Sequence, residues 1–513
     1  MPKSVSDVFL RLGSGWMAAV VSLTIATQPL FAKSRDESIE EQIERVETGL
    51  LPPVLMDGET PKTVSLLARM AELHVPAVSI AVVHEGKIAW ARGFGVVKLG
   101  GPPVTPHTLF QAASISKPIT ALAALHLVQI GKLSLDTDVN EYLKSWKLPS
   151  NQFTQQHSVT LRELLTHTAG TTVHGFPGYA KDQPLPTLVQ VLNGVAPSNS
   201  PPIRVDTVPG SIWRYSGGGY AIVQQLLEDV TGRQFYALMN DIVLAPIGMK
   251  ESTFEQPLPT GRMKNVAIPY RASGTPVKGG PHVYPERAPA GLWTTPSDLA
   301  RYIIEVQHAV AGKSTVLTAA MANEMLTPTL NHQGLGPRVS SPRRYFQHSG
   351  ANEGYRCLLI GYEDGNGLVI MTNGDNGDML FWEVVRTVAY EYDWPEFQPE
   401  GHRVTKFEPE HFDLLAGTYQ LAPDFVVTFS RDQDRLFAQV SGQGRLEIFP
   451  EGERDFFAKS TNIAFTFDVD AQGRGKAVTF RQFDRVLHGT RLDDEKAKTT
   501  SEEFSRSNKR VRD

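Results

Sequence analysis

A single cysteine, Cys357, stands in a chain of 513 residues. One thiol excludes an intrachain disulfide and any metal site built on several thiolates. Charge of one sign is lacking too: 50 lysines and arginines against 55 aspartates and glutamates leave a net charge of −5. Without a basic stripe the chain has no electrostatic footprint for nucleic acid. Beyond the N-terminal segment no apolar run reaches the length of about 20 residues that a membrane span needs. His167 and His174 have no carboxylate or third histidine at matching spacing, so no metal ligand set is expected. The run Gly217-Gly218-Gly219 lacks the G-x-x-x-x-G-K-[ST] frame, and no dinucleotide pattern surrounds it, so no cofactor is implied. The mature chain also has no G-x-S-x-G, the strained strand-to-helix elbow of an α/β-hydrolase.

What is present has a clear order. Lys3 and Arg11 precede an apolar stretch from Gly15 to Ala26, and Leu30-Phe31-Ala32 offers a cleavage site before Lys33. This pattern predicts a signal peptide over 1–32 and a periplasmic or secreted protein with no stable membrane span after cleavage. A helix is expected over Ser38 to Gly49. Ala77 to Val83 and Ile88 to Gly95, joined by His84-Glu85-Gly86-Lys87, read as a strand pair. A helix-rich block follows, with a capping box at Thr160 and Glu163 and a helix from Tyr220 to Thr231 that ends at Gly232. Three more strands, Tyr345 to Gly350, Tyr355 to Gly361 and Leu368 to Asn373, precede a helix from Met379 to Tyr392. The expected fold class is α+β, an antiparallel β-sheet flanked by helices with a helix-rich subdomain, over residues 33–398. Past a break at Pro395 to Pro409, seven short strands at regular spacing between Ala416 and Gln482 predict a small all-β barrel or sandwich over 405–493. The tail, 494–513, is charged and expected to be disordered.

The stretch that carries chemistry is Phe110-Gln111-Ala112-Ala113-Ser114-Ile115-Ser116-Lys117-Pro118. It opens an apolar helix in which Ile119, Leu122, Ala123, Leu127 and Ile130 recur at helical spacing, and Pro118 fits only the first turn. Ser114 then stands at the helix N-terminus with Lys117 one turn on, on the same face. A serine hydroxyl needs a base before it attacks, and burial beside a helix N-terminus lowers a lysine pKa until the free amine can be that base. Taken alone, the pair is equally a helix cap and a solvated lysine.

Two later motifs change the weighing. Tyr215-Ser216-Gly217 lies at a helix start, and His348-Ser349-Gly350 lies on a strand. In this order Ser114-x-x-Lys117, Tyr215-Ser216-Gly217 and His348-Ser349-Gly350 resemble the three motifs of the serine β-lactamase and penicillin-binding-protein superfamily, above all its class C-like members, D,D-peptidases, D-aminopeptidases and esterases. Leu164-Leu165-Thr166-His167-Thr168-Ala169-Gly170 and Pro209-Gly210 support the resemblance, which spans about residues 38–395. It implies a catalytic set of Ser114, Lys117, Tyr215 and His348. It also implies an oxyanion hole from the backbone of Ser114 and Ala351, and substrate contacts at Gly217, Ser349 and Gly350. A cation beside Tyr215 is expected to lower its pKa. The implied partner is a small-molecule or peptide substrate cleaved at an amide or ester through an acyl-enzyme. A β-lactamase and a non-catalytic penicillin-recognising protein are the alternatives left open. Two departures matter: Gly217 stands where the family usually has asparagine, and His348 where it usually has lysine. Arg356 is a candidate for the charge that His348 does not supply, and equally a structural strand residue. Thr168, Trp293 and Asn352 are expected to be structural or rim residues, and Cys357 a buried apolar one.

Overall fold

The computed structural model describes residues 38–493 apart from 423–424, 442 and 483–484. The segment expected to direct export and the charged tail lie outside the described residues. The sheet comprises β1 (Ala77–His84), β2 (Lys87–Gly95), β3 (Arg338–Val339), β4 (Tyr345–Asn352), β5 (Tyr355–Tyr362) and β6 (Gly367–Thr372) in the order β2-β1-β6-β5-β4-β3. Every neighbouring pair is antiparallel. The middle strands are apolar on both faces, because both faces are covered. Ala77, Ala81, Cys357, Leu359, Val369 and Met371 point into one core, which they share with the helices Ser116–Gln129, Gly217–Thr231 and Pro296–Val310. Val78, Ile80, Val82, Leu358, Ile360 and Ile370 point into the other, closed by the helices Ile39–Thr48 and Gly377–Glu391.

Local chemistry sets the helix boundaries. Ser38 and Glu41 form a capping box at the first helix, and Thr160 and Glu163 form another. Thr295 caps the Pro296–Val310 helix by accepting from Asp298 N at 3.2 Å, with Pro296 in the first turn where its missing N–H costs nothing. Gly232 ends the Gly217–Thr231 helix at φ 67°, in the left-handed region that a β-carbon disfavours.

Two element boundaries differ from expectation, and one strand pairing adds to it. Ser114 is not in the helix but in a 3-10 turn, Ala113–Ile115, that precedes it; the helix proper begins at Ser116. The helix expected from Tyr220 starts three residues earlier, at Gly217, and the three glycines of its first turn let it pack against the 171–176 segment. The break at Pro395 to Pro409 is not wholly irregular: Glu400–His402 pairs in parallel with Val54–Met56 near the start of the chain.

The C-terminal strands close into an eight-stranded antiparallel barrel, running from Gly417–Ala422 to Arg485–Arg491. The eighth strand, Arg485–Arg491, has exposed residues along most of its length and gives no apolar alternation by which to find it. It pairs with Gly417–Ala422 to shut the ring, so the fold is a barrel and not a sandwich. Aromatic rings fill the interior: Phe467 lies 4.8 Å from Phe429, 5.6 Å from Tyr419 and 5.7 Å from Phe456, centroid to centroid. Phe467→Ala is expected to cost about 3–5 kcal/mol, read in urea as a lower midpoint for the barrel's unfolding transition, with Phe467→Leu losing less.

Candidate active site

The turn that carries Ser114 is pinned from both sides. Phe110–Gln111 pairs with Trp293–Thr294, and Ala112 N donates to Leu292 O at 2.9 Å. The Ser116 hydroxyl donates to Ala113 O and accepts from Leu292 N at 3.0 Å, tying the turn to the same segment. Ala113 adopts φ 49°, a left-handed conformation that a non-glycine residue holds only when its surroundings impose it. The strain falls on the residue directly before Ser114, where it aims the hydroxyl out of the turn.

Lys117 lies along the helix behind this turn and is 2% exposed. Its Nζ donates to Ser114 Oγ at 2.9 Å and to the Pro289 carbonyl at 2.9 Å. Among the described residues no carboxylate pairs with it. Burial therefore pushes its pKa down from the ordinary lysine value to about 7. The Tyr215 hydroxyl faces Ser114, and its ring centroid stands 4.8 Å from Lys117 Nζ. The expected lowering of its pKa is not what the structure has: burial pushes the phenol up, with the Ser114 hydrogen bond a smaller opposing effect.

His348 lies on β4 with its ring centroid 6.2 Å from that of Tyr215. Its Nδ1 lies 2.6 Å from Ser349 O. A carbonyl only accepts, so Nδ1 carries the proton and the neutral ring keeps Nε2 as an acceptor. Desolvation first, and the charge on Lys117 second, push its pKa down to about 3, so it is uncharged at neutral pH. It does not replace the charge of a lysine. Nor does Arg356, which is paired with Asp375 at 2.9 Å and donates to the carbonyls of Asn352 and Tyr355. The guanidinium that does line the cleft is that of Arg338.

Ser114, Lys117, Tyr215, Gly217, His348, Ser349 and Ala351 thus share one cleft of about 610 Å³. Gly350 does not face it. A β-carbon there would stand 2.2 Å from Ala112 O, so the absent side chain is what lets β4 press against the Ser114 turn. Asn352, expected to be structural or at the rim, is 7% exposed and donates to Gln111 Oε1 at 2.8 Å and to Ala290 O at 3.2 Å. It ties β4 to both flanks of the turn. Cys357 is buried as expected, its thiol donating to Gln111 O at 3.3 Å.

Sequence reasoning missed the supports. The Pro289 carbonyl reaches Lys117 across 172 positions, and no local signal announces it. His167 falls inside the Leu164 to Gly170 motif, but nothing in that motif says what its ring holds. Its Nδ1 accepts from Ser216 N at 3.2 Å, and its ring backs Tyr215 at a centroid distance of 4.3 Å. Burial and the charges around it hold it well below the usual histidine range. Its Nδ1 lone pair is spent on the backbone of the tyrosine motif, which leaves none there for a metal.

Comparison with known proteins gives a consistent picture. Residues 66–386 match the Beta-lactamase family, and residues 402–495 match a Domain of unknown function (DUF3471). The chain is 22% identical over 448 residues to a penicillin-binding protein of Bacillus subtilis (strain 168), covering 79% of this chain and 94% of that one. It is 26% identical over 317 residues to Protein flp of Staphylococcus aureus (strain MW2), spanning 58% of this chain and 60% of the length of that relative. Among solved structures, an octameric penicillin-binding protein homologue from Pyrococcus abyssi aligns with a TM-score of 0.54 at 22% identity, over 83% of this chain and 98% of its own. That likeness is one of fold.

The close approach at Gly350 gives a test that needs no substrate. In Gly350→Ala, reaction of Ser114 with a fluorescent phosphonate is expected to slow by about a hundredfold, the order of cost that a misplacement of about 1 Å carries. The circular dichroism spectrum should be kept. Unchanged reactivity would show that the contact does not position the turn.

Proposed function

Because this chain belongs to the beta-lactamase family, we propose that it is a serine hydrolase that opens amide, peptide or ester bonds through an acyl-enzyme on Ser114. The observation that carries this reading is the 2.9 Å contact between a buried Lys117 amine and Ser114 Oγ. At a pKa of about 7 a large share of Lys117 is the free amine at neutral pH, which is what a general base needs. Lys117 takes the hydroxyl proton as Ser114 Oγ bonds to the scissile carbonyl carbon. The oxyanion is received by the N–H groups of Ser114 and Ala351. Tyr215, kept protonated by burial, hands its proton to the departing nitrogen or oxygen and is reprotonated by the Lys117 ammonium. Water then attacks the ester, and the same two groups carry the proton from water to Ser114. His348 offers Nε2 as a neutral acceptor at the edge of the cleft, and Ser349 offers a hydroxyl to the substrate.

We take residues 33–398 as the hydrolytic unit, 405–493 as an appended all-β unit, and 1–32 as a signal peptide that exports the protein to the periplasm or beyond. Among the described residues no helix is long and apolar enough to cross a membrane. The penicillin-binding names of the relatives support a second outcome, that Ser114 is acylated by a β-lactam. Mass spectrometry after exposure to a fluorescent penicillin tests this: rapid loss of the adduct marks a β-lactamase, and a long-lived adduct marks a penicillin-recognising protein.

Two predictions follow from the chemistry. Ser114→Ala should abolish turnover of a p-nitrophenyl ester, a fall of about 10³-fold or more; hydrolysis that persists in this variant sinks the mechanism. Because the free amine is the active form, kcat/KM should rise with pH through a midpoint of about 7, the value burial sets for Lys117. Burial holds the His348 pKa down at about 3, so it does not titrate near neutral pH, and His348→Ala should lower the rate but keep that limb. Disappearance of the limb in His348→Ala would transfer the titration to the histidine.

A further inference from the structure

The chain leaves the first unit for the barrel at Glu400–His402, and the last side chain of that strand is held from three directions. The strand itself pairs in parallel with Val54–Met56. Glu400 N donates to Pro53 O at 3.1 Å, and Asp57 N donates to His402 O at 3.0 Å. The His402 imidazole is buried and lies flat on Phe457 of the barrel, with centroids 4.2 Å apart and planes 6° from parallel. Its Nδ1 stands 3.0 Å from Oε2 of Glu451, in the turn after the barrel strand Arg445–Pro450, and its Nε2 stands 3.3 Å from Oε2 of Glu400. Arg403 N and Thr405 N extend the contact, donating to Glu451 Oε1 at 3.4 Å and to Pro450 O at 3.0 Å.

Both ring nitrogens thus face a carboxylate oxygen. An ionised carboxylate only accepts, and a neutral imidazole has a single N–H. Only the imidazolium donates to both; a neutral ring turns one lone pair toward a negative charge. Glu400 and Glu451 are the two groups that form ion pairs with His402 among the described residues. The flanking charges on the packed elements are Asp57, Arg403, Glu453, Arg454, Asp455 and Lys459, and Lys459 stands over the Phe449 ring instead. Burial works against the charge on His402, but the hydrogen bonds to Glu400 and Glu451 outweigh it and hold the ring above the ordinary histidine range. The bond to His402, with one to Asn462 of the barrel, holds Glu400 below its ordinary range, so this carboxylate stays ionised as the histidine titrates. We propose that His402 is a pH-operated clasp between the two units: as imidazolium it fastens the barrel to the Val54–Met56 edge, and as neutral imidazole it lets that contact open. The fastening is complete below the ordinary histidine value of about 6.5 and is lost as pH rises through the raised one. The same connecting segment reaches the cleft. The Phe397 ring lies 5.1 Å from Tyr345 and 6.0 Å from Trp382, centroid to centroid, and Trp382 lines the cleft that holds Ser114. The clasp therefore fastens the stretch of chain that braces one wall of the cleft.

Hydrogen–deuterium exchange on the full chain tests this, read as protection at about pH 6 and about pH 8.5 after correction for the pH dependence of the intrinsic exchange rate. The reporting amides are those of Asp57, Glu400 and Thr405, whose bonds hold the contact. Their protection is expected to fall by about tenfold or more between the two conditions, the order of one charge-assisted hydrogen bond. His402→Gln does not titrate, so its protection should be lower and equal at both values. Glu451→Gln keeps the histidine but removes one of its two negative partners, so the fall should come at a lower pH. Circular dichroism checks that each variant folds, and the Glu451 variant carries the test if the His402 one does not. Equal protection of the natural chain at both values overturns the proposal. So does a fall of the same size in His402→Gln, which would assign the titration to another group, or a fall at an unchanged pH in Glu451→Gln.

Discussion

The interaction on which the rest depends is the burial of one amine. Lys117 sits 2% exposed between Ser114 and the Pro289 carbonyl, with no carboxylate to hold its proton. An ammonium in that setting loses its hydration and gains only two acceptors, so desolvation brings its pKa to about 7. The effect spreads to the neighbours. The same exclusion of water pushes the Tyr215 phenol up. What charge Lys117 keeps helps to hold His348 neutral. At neutral pH the cleft thereby holds a neutral phenol, a neutral imidazole and an amine that exchanges readily between its two protonation states, so that protons can pass between these groups.

Keeping that amine buried is the work of distant chain. The Pro289 carbonyl, the Leu292 backbone and the Trp293–Thr294 strand come from one segment, and Gly350 and Asn352 from another. Each touches the turn around Ser114. The approach of β4 is close enough that a single added carbon at Gly350 would collide with Ala112 O. Left-handed Ala113 is the residue on which these restraints converge. The sheet and its two apolar cores act as the rigid frame from which both segments are hung.

The second wall of the cleft follows a different logic. His167 holds the backbone of the tyrosine motif from behind, and the helix start at Gly217 grips the 173–174 carbonyls from the side. Three glycines allow the helix to begin that close. The barrel stands outside this arrangement. It has its own aromatic core, and the segment leading to it, Glu400–His402, is bound to the first unit through Val54–Met56.

Much of this was legible in the sequence because its causes are local. Alternating or continuous apolar runs set the strands, capping residues set the helix ends, and three short motifs in order named Ser114, Lys117, Tyr215 and His348. The strand Arg485–Arg491 escaped because a mostly exposed strand carries no alternation, and its membership is decided only by closure against Gly417–Ala422. Gly350 was read as a substrate contact because a motif names positions, not the direction each one faces. The sequence by itself determined which groups could do chemistry and in what order they occur. Tertiary structure alone decided their protonation, since pKa depends on water excluded by residues far apart in the chain. It also decided what fills the space that Gly217 leaves, the His174 carbonyl and the Phe176 ring, since no spacing rule brings that segment to the helix start.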